Sequence, residues 1–161
     1  MVKENEETLS QAMGSPMFLK LKGRRYELTP ISMGDMADFP QYIKGRRIEV
    51  AQDIRDSKRR KAIKTYSINP EKLAMVLRGI NNDSLQLEIG VMESFVDADR
   101  EMHTIDGARF LLWKAISIKH PDITLEDMDD LIDLDNIEES TAILMELGKK
   151  PKNPIAEEKK S

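Results

Sequence analysis

Hydrophobic and polar residues alternate with two different periods along the chain. Within residues 17–22, Leu19 and Leu21 alternate with Lys20 and Lys22, and within residues 24–29, Tyr26 and Leu28 alternate with Glu27. A period of two is typical of half-buried strands, and Gly23 between the two stretches is suited to a tight turn. The pattern therefore predicts an N-terminal β-hairpin. Because isolated hairpins are only marginally stable in water, we expect it to pack on helices.

Beyond the predicted β-hairpin the period becomes helical. Ser32, with Asp35 three residues later, predicts a capped turn before Pro40. Residues 55–61 contain no apolar side chain, so we expect an exposed helix end or a loop there. The segment between Pro40 and residue 55 carries apolar residues on one helical face: Ile43, Val50 and Ile54.

The next helix has a clear start and an ambiguous continuation. Asn69 followed by Pro70 is a typical helix N-terminus, and Gly79 with residues 81–83 predicts its end. From Ser84 onward the apolar residues fit either a strand or a helix. A helical stripe favours the helix: Leu85, Ile89, Met92 and Val96.

The C-terminal third predicts three helices. Thr104 caps a segment over 105–119 that is apolar nearly all round, including Trp113, and such a helix belongs in a core. His120-Pro121 is expected to end it. A short helix then starts at Thr124 with Asp127. A last helix starts at Asp135 with Glu138 and ends at Gly148.

These elements predict a mainly α fold with a small N-terminal β-hairpin (α+β), built as a compact bundle of about five helices. A length of 161 residues suits one domain. We expect a flexible arm over 1–15, a single α-rich domain over 16–148 and a disordered tail over 149–161. The charged N-terminus lacks the apolar core of a signal peptide, so we expect a cytoplasmic protein that makes no membrane contact.

Composition argues against catalysis. The chain has no cysteine and two histidines, which excludes disulfide frameworks, thiol nucleophiles and Cys-ligated zinc. No nucleophile elbow, phosphate-binding loop, dinucleotide fingerprint or zinc-protease motif occurs. His103 and His120 have no partner motif. We therefore expect no enzymatic activity, no catalytic residue, no bound metal and no cofactor.

Charge is strongly segregated along a chain whose net charge is only −4. Residues 20–64 hold 13 Lys and Arg against 6 Asp and Glu, whereas residues 120–147 hold 10 Asp and Glu and no Lys or Arg. Either the two segments are solvated faces that neutralise each other, or they dock charged partners. The candidate partner-binding residues are Lys58, Arg59, Arg60, Lys61, Asp127, Asp129, Asp130, Asp133 and Met128.

Two other interpretations of these charges are weaker. The aspartates from Asp127 onward do not form an EF-hand loop, because Ile132 stands where that loop needs glycine. The basic run 58–61 suits contact with phosphates, as in a small DNA-binding regulator. The acidic chain has only Tyr66 nearby for stacking on bases, so nucleic-acid binding is not the favoured interpretation.

The strongest functional hint is a resemblance. The segment from Gly107 to Ile132, with Leu-Leu-Trp followed by His-Pro-Asp-Ile-Thr-Leu-Glu-Asp, and then Leu-Asp-Asn-Ile ending at Ile137, resembles the tail assembly chaperones of long-tailed bacteriophages and prophages. The stretch from Phe18 to Ser32 is similar to the opening hairpin of such proteins. The resemblance covers roughly residues 17–147 and contains no catalytic signature.

Membership of that family implies a non-enzymatic protein in the cytoplasm of the bacterial host. It implies binding to the long, helical tape-measure protein and recruitment of tail-tube subunits, with self-association as a further expectation. The 10 methionines suit either ordinary core filling or an adaptable surface for irregular apolar partners. The alternatives are a phage virion structural or connector protein and the DNA-binding regulator.

Overall fold

The computed structural model describes residues 16–149, and the predicted arm over 1–15 and nearly all of the predicted tail lie outside them. The described residues begin with two antiparallel strands, β1 (Met17–Leu21) and β2 (Arg24–Leu28). Lys22 and Gly23 join them with φ values of 47° and 82°, as the two central residues of a tight hairpin turn require. The predicted β-hairpin and its alternation are thus confirmed.

Six helices follow among the described residues, and they confirm a mainly α fold with a small N-terminal β-hairpin. Residues 16–39 and 99–149 form one compact unit, here called the core unit. Residues 40–98 form a second compact unit, here called the two-helix unit. The single domain over 16–148 stays a prediction. The helices are α1 (Phe39–Tyr66), α2 (Pro70–Glu93), α3 (Ala98–Glu101), α4 (Ile105–Ser117), α5 (Asp127–Leu131) and α6 (Ile137–Lys149).

Helix α4 is the centre of the core unit, as its apolar circumference predicts. It contacts β2, α5 and α6, and α6 in turn contacts β1. Leu112 and Ile116 are fully buried, and burying each such side chain contributes about 1.5–3 kcal/mol. The backbone amide of Thr29 donates to the carbonyl of Ala115 over 2.9 Å, which fixes the chain leaving β2 against α4.

The start of α4 depends on a cap and on a close backbone approach. The Thr104 hydroxyl accepts a hydrogen bond from the Gly107 amide at 3.1 Å, so the predicted cap is confirmed. A Cβ at Gly107 would lie 1.8 Å from the carbonyl oxygen of Glu101. Only glycine therefore lets the turn after α3 fold back onto the first turn of α4.

Both long helices continue through positions where the sequence predicted an end. Helix α1 runs through the charged residues 55–61 to Tyr66, and α2 runs through Gly79 and residues 81–83. The Asn81 side chain accepts a hydrogen bond from Arg59 at 2.8 Å, so it is held by α1 instead of capping its own helix. The helical interpretation of the stretch after Ser84 is confirmed.

The caps near the C-terminus are partly those predicted. Thr124 and Asp127 exchange hydrogen bonds as expected of a helix start. At the start of α6, however, the Asn136 side chain accepts from the Asp133 amide, in place of the predicted pairing of Asp135 with Glu138. Helix α6 also passes through Gly148 to Lys149, so this glycine does not end it.

Candidate partner-binding surfaces

An open, largely apolar cleft of about 500 Å³ lies in the core unit. We call it the methionine cleft, because Met33, Met36 and Met102 line it. Its volume is within the range of roughly 300–1,000 Å³ of sites that hold ligands or partner side chains. The other lining residues are Ile31, Ser32, Gly34, Leu111, Leu144, Leu147 and Gly148.

One wall of the methionine cleft is the turn segment between β2 and α1. The Asp35 amide donates to the Ser32 hydroxyl at 3.0 Å, and the Ser32 amide donates back to the Asp35 carboxylate. This reciprocal pair confirms the predicted cap and holds the segment as consecutive turns. Met33 consequently stands at the rim with 88% of its surface exposed, while Met36 is half-buried.

The opposite wall and the floor come from helices. Leu111 of α4 and Leu147 of α6 are almost fully buried, at 1% and 2% exposure, and they form a rigid floor. Met102 follows α3 directly and is half-buried. A fixed aliphatic floor beneath flexible thioether side chains can accept an apolar side chain of irregular shape.

The residues that line the cleft have no ionisable side chain, and the hydroxyl of Ser32 accepts the hydrogen bond from the Asp35 amide. Sequence reasoning did not find the cleft, because Met33 and Met36 belong to a turn segment and to no helical stripe. The one signal in the sequence was the number of methionines, which suits either core filling or an adaptable surface. Met17 and Met128 are buried in the core, whereas Met33, Met36 and Met102 line the cleft.

The predicted basic residues lie along the second half of α1. Lys58, Arg60 and Lys61 are exposed, whereas Arg59 is half-buried and donates to Asn81. The ring of Tyr66, the aromatic residue noted for base stacking, lies 5.1 Å from the ammonium of Lys72. The structure therefore presents three of the four basic side chains to solvent on one helix.

The predicted acidic residues lie in and around α5. The Asp129 carboxylate is 3.0 Å from the guanidinium of Arg109, which also donates to the carbonyl of Ile132 at 2.8 Å. The Asp127 carboxylate accepts a hydrogen bond from the Thr124 amide at 2.7 Å, and Asp130 is exposed. Met128 is fully buried, so its side chain fills the core and offers no surface to a partner.

Two of these carboxyl groups have pKa values below their ordinary range. Hydrogen bonds from the amide and the hydroxyl of Thr124 lower the pKa of Asp127. A hydrogen bond from the ammonium of Lys22 lowers the pKa of Asp133, and the same contact raises the pKa of Lys22. Lys22 is exposed and Asp133 is half-buried, and the pair links the turn of the β-hairpin to the acidic segment.

The two histidines have structural surroundings. The Nε2 atom of His120 accepts a hydrogen bond from the backbone amide of Glu27 at 3.0 Å, and its ring meets Tyr26 edge-on at 5.4 Å. His120 thus joins the end of α4 to the β-hairpin, a contact that the sequence did not predict. His103 is exposed. Across residues 16–149, no three His, Asp or Glu side chains converge closely enough to hold a metal ion.

Comparisons with family models, with curated proteins and with solved structures find no match for this chain. Along the part of the chain that the structure describes, none of the helices combines the length and the apolar character needed to cross a membrane.

Proposed function

We propose that this chain is a non-enzymatic tail assembly chaperone of a long-tailed bacteriophage or prophage, acting in the cytoplasm of the bacterial host. Its partners are then the tape-measure protein and, through it, the tail-tube subunits. The observation that carries the proposal is the methionine cleft. It stands beside the resemblance of residues 17–147 to such chaperones.

The methionine cleft suits an amphipathic helix as its occupant. Such helices insert apolar side chains, spaced three or four residues apart, into an apolar groove. Methionine side chains adapt to different sequences, because the unbranched thioether changes rotamer at little cost. A chaperone that coats a long helical protein must accept many different segments, and a cleft lined by Met33, Met36 and Met102 offers that tolerance.

The proposal is tested by binding. Fluorescently labelled peptides that tile the tape-measure protein encoded in the same phage genome are titrated with the full chain. We expect the double change Met33→Gln and Met36→Gln to weaken binding by about tenfold or more, since apolar anchors in such grooves are worth over 1 kcal/mol each. The matched control is Met145→Gln, because Met145 is 44% exposed and is absent from the cleft lining.

Equal binding by the cleft variant and the wild type would contradict the proposal. A second measurement separates it from the virion structural or connector protein. A chaperone of this kind leaves the finished tail, so mass spectrometry of purified virions should not find this chain at stoichiometric copy number. A stoichiometric signal would favour the structural protein.

The exposed side chains of Lys58, Arg60 and Lys61 support a second candidate, the DNA-binding regulator. A protein that neutralises several phosphates loses affinity steeply as salt rises. Binding to duplex DNA is measured across a salt series for the wild type and for the chain with residues 58–61 changed to alanine. Unchanged affinity in that variant would exclude the regulator.

A further inference from the structure

Helix α2 carries an exposed apolar stripe that differs from the face packed on α1. Along α2 the residues of this outer stripe recur at alternating intervals of three and four, the spacing of a coiled-coil contact face. Its four apolar members are between 42% and 69% exposed. The outer stripe consists of Met75, Arg78, Asn82, Leu85, Ile89 and Met92.

The inner face of α2 is already occupied by α1. Ser84 is buried there, and Glu88 lies 3.8 Å from Arg55 across the two helices. The Asn81 side chain binds Arg59, and the carbonyl of Met92 accepts a hydrogen bond from Lys44 at 2.6 Å. The side chains of Asn81, Ser84 and Glu88 lie on a different side of the helix from the outer stripe, and the contact with Lys44 uses only the backbone of Met92. Among the described residues, the apolar side chains of the outer stripe are therefore exposed.

We propose that two copies of this chain pair through the outer stripe of α2, with the two α2 helices antiparallel. In the register that overlaps the whole outer stripe, Met75 lies opposite Met92 of the second copy, and Leu85 lies opposite its Asn82. Polar residues within such a contact face lower affinity but fix the register. Together with α1 of each copy, the pair forms a four-helix arrangement.

Charge selects both the partner and the orientation. In the antiparallel register Lys72 lies beside Glu93 of the second copy, and the two-fold axis repeats this contact. A parallel pair would instead place Glu88 beside Glu93 of the second copy, which is repulsive. Within one copy, Lys72 and Glu93 are separated by roughly 30 Å of helix, so they can meet only between copies.

This pairing is independent of the proposed function, because it uses the two-helix unit and not the methionine cleft. A self-complementary stripe also needs no further component, since each copy supplies the same residues to the other. Failure of the pairing would leave the cleft unaffected. Failure of peptide binding at the cleft would equally leave the pairing intact.

The first test is sedimentation velocity of the full chain across a wide concentration range. We expect a concentration-dependent dimer whose dissociation constant rises roughly a hundredfold in the double variant Leu85→Gln and Ile89→Gln. These side chains are 55% and 42% exposed, so the monomer should still fold. The control is Val50→Gln with Ile54→Gln, two exposed apolar residues of α1, which should leave the dimer unchanged.

The second test addresses orientation. We expect Lys72→Glu or Glu93→Lys alone to weaken the dimer by roughly tenfold, and the two changes together to restore it. Because the chain has no cysteine, introduced cysteines report contacts cleanly. Met75→Cys mixed with Met92→Cys should cross-link, whereas Met75→Cys alone should not.

Three results would overturn the proposal. They are a monomer at every concentration, a dimer that only the α1 control variant disrupts, and cross-linking of Met75→Cys to itself with no charge-swap rescue. Cross-linking of Met75→Cys to itself would mean that the two α2 helices are parallel or that the copies meet through another surface. Restoration by the charge swap, together with the mixed cross-link, would establish the antiparallel pair.

Discussion

The core unit and the two-helix unit use their apolar residues in opposite ways. Among residues 16–149, the core unit holds 16 of the 20 buried hydrophobic residues. The two-helix unit holds 10 of the 15 exposed large hydrophobic residues, although it spans only residues 40–98. The core unit therefore buries most of its apolar side chains, whereas the two-helix unit leaves many of its own exposed among the described residues.

The difference follows from how many neighbours each helix has. Helix α4 is apolar nearly all round and contacts β2, α5 and α6, so most of its apolar side chains are buried. Helix α2 has apolar residues on two faces, but α1 covers one of them. An exposed apolar stripe of this kind marks an interaction site more often than it marks a fold under strain. The following changes test this contrast.

The largest effect is expected for a change in the centre of the core unit. Leu112 is fully buried, so Leu112→Ala should lower the free energy of unfolding by about 2–5 kcal/mol. The matched change in the two-helix unit is Leu87→Ala, where 52% of the side chain is exposed, and it should cost less than about 1 kcal/mol. Urea denaturation measures both, and equal losses would contradict the contrast.

The next largest changes in unfolding free energy are expected for two glycine-to-alanine substitutions, one in each unit, and they have opposite signs. Gly107→Ala places a methyl group against the backbone of Glu101, so we expect a loss of roughly 2–4 kcal/mol in unfolding free energy. Gly90 is in the helical interior of α2 with open space around it, so Gly90→Ala should gain about 0.5–1 kcal/mol. Thermal unfolding measures both, and a stabilising Gly107→Ala would show that the close approach is absent.

A smaller, pH-dependent effect is expected from the pair that joins Lys22 to Asp133. The hydrogen bond from Lys22 lowers the pKa of Asp133 below its ordinary value of 3.8, so its stabilisation is complete above that pH and is lost as the pH falls toward the folded-state pKa. The raised pKa of Lys22 means that this stabilisation is also lost as the pH rises above 10.5.

The change Asp133→Asn tests that pair. Because the side chains of Lys22 and Asp133 are 53% and 35% exposed, solvent screens the pair and the loss at neutral pH should be modest. The unfolding free energy of the variant should depend less on pH at both extremes than that of the wild type. Stability measured by denaturation across the pH range would contradict the assignment if both curves had the same slope.

The smallest effect on folding is expected for the basic run on α1. Lys58 and Lys61 are exposed, so Lys58→Ala with Lys61→Ala should change the unfolding free energy by less than about 0.5 kcal/mol. A larger loss, measured by urea denaturation, would mean that these lysines hold the two-helix unit together and are not a free basic surface.

Local signals predicted the elements of the core unit well and the extent of the long helices poorly. Alternation of Leu19 and Lys20 gave the β-hairpin, and Thr104 gave the start of α4. The ends predicted at residues 55–61 and 81–83 failed, because contacts between α1 and α2, such as Arg59 with Asn81, hold those residues in helix. Such contacts connect positions distant in sequence, and no local pattern contains them.

The candidate surfaces, too, could be predicted from the sequence only in part. The exposure of Lys58 and Asp130 could be expected from charge alone. The methionine cleft could not, because Met33, Met102 and Leu147 come from three separate segments that meet only when the core unit folds. Met128 shows the converse error, since its position among exposed aspartates gave no sign that it is fully buried.

The central claim is that the core unit is complete in itself, whereas the outer stripe of α2 needs a second copy. Amide hydrogen exchange of the full chain at increasing concentrations tests it most directly. We expect amides of α4 to exchange slowly at every concentration, and amides around Leu85 and Ile89 to become slower as concentration rises. Equally slow exchange around Leu85 and Ile89 at the lowest and the highest concentration would contradict the claim.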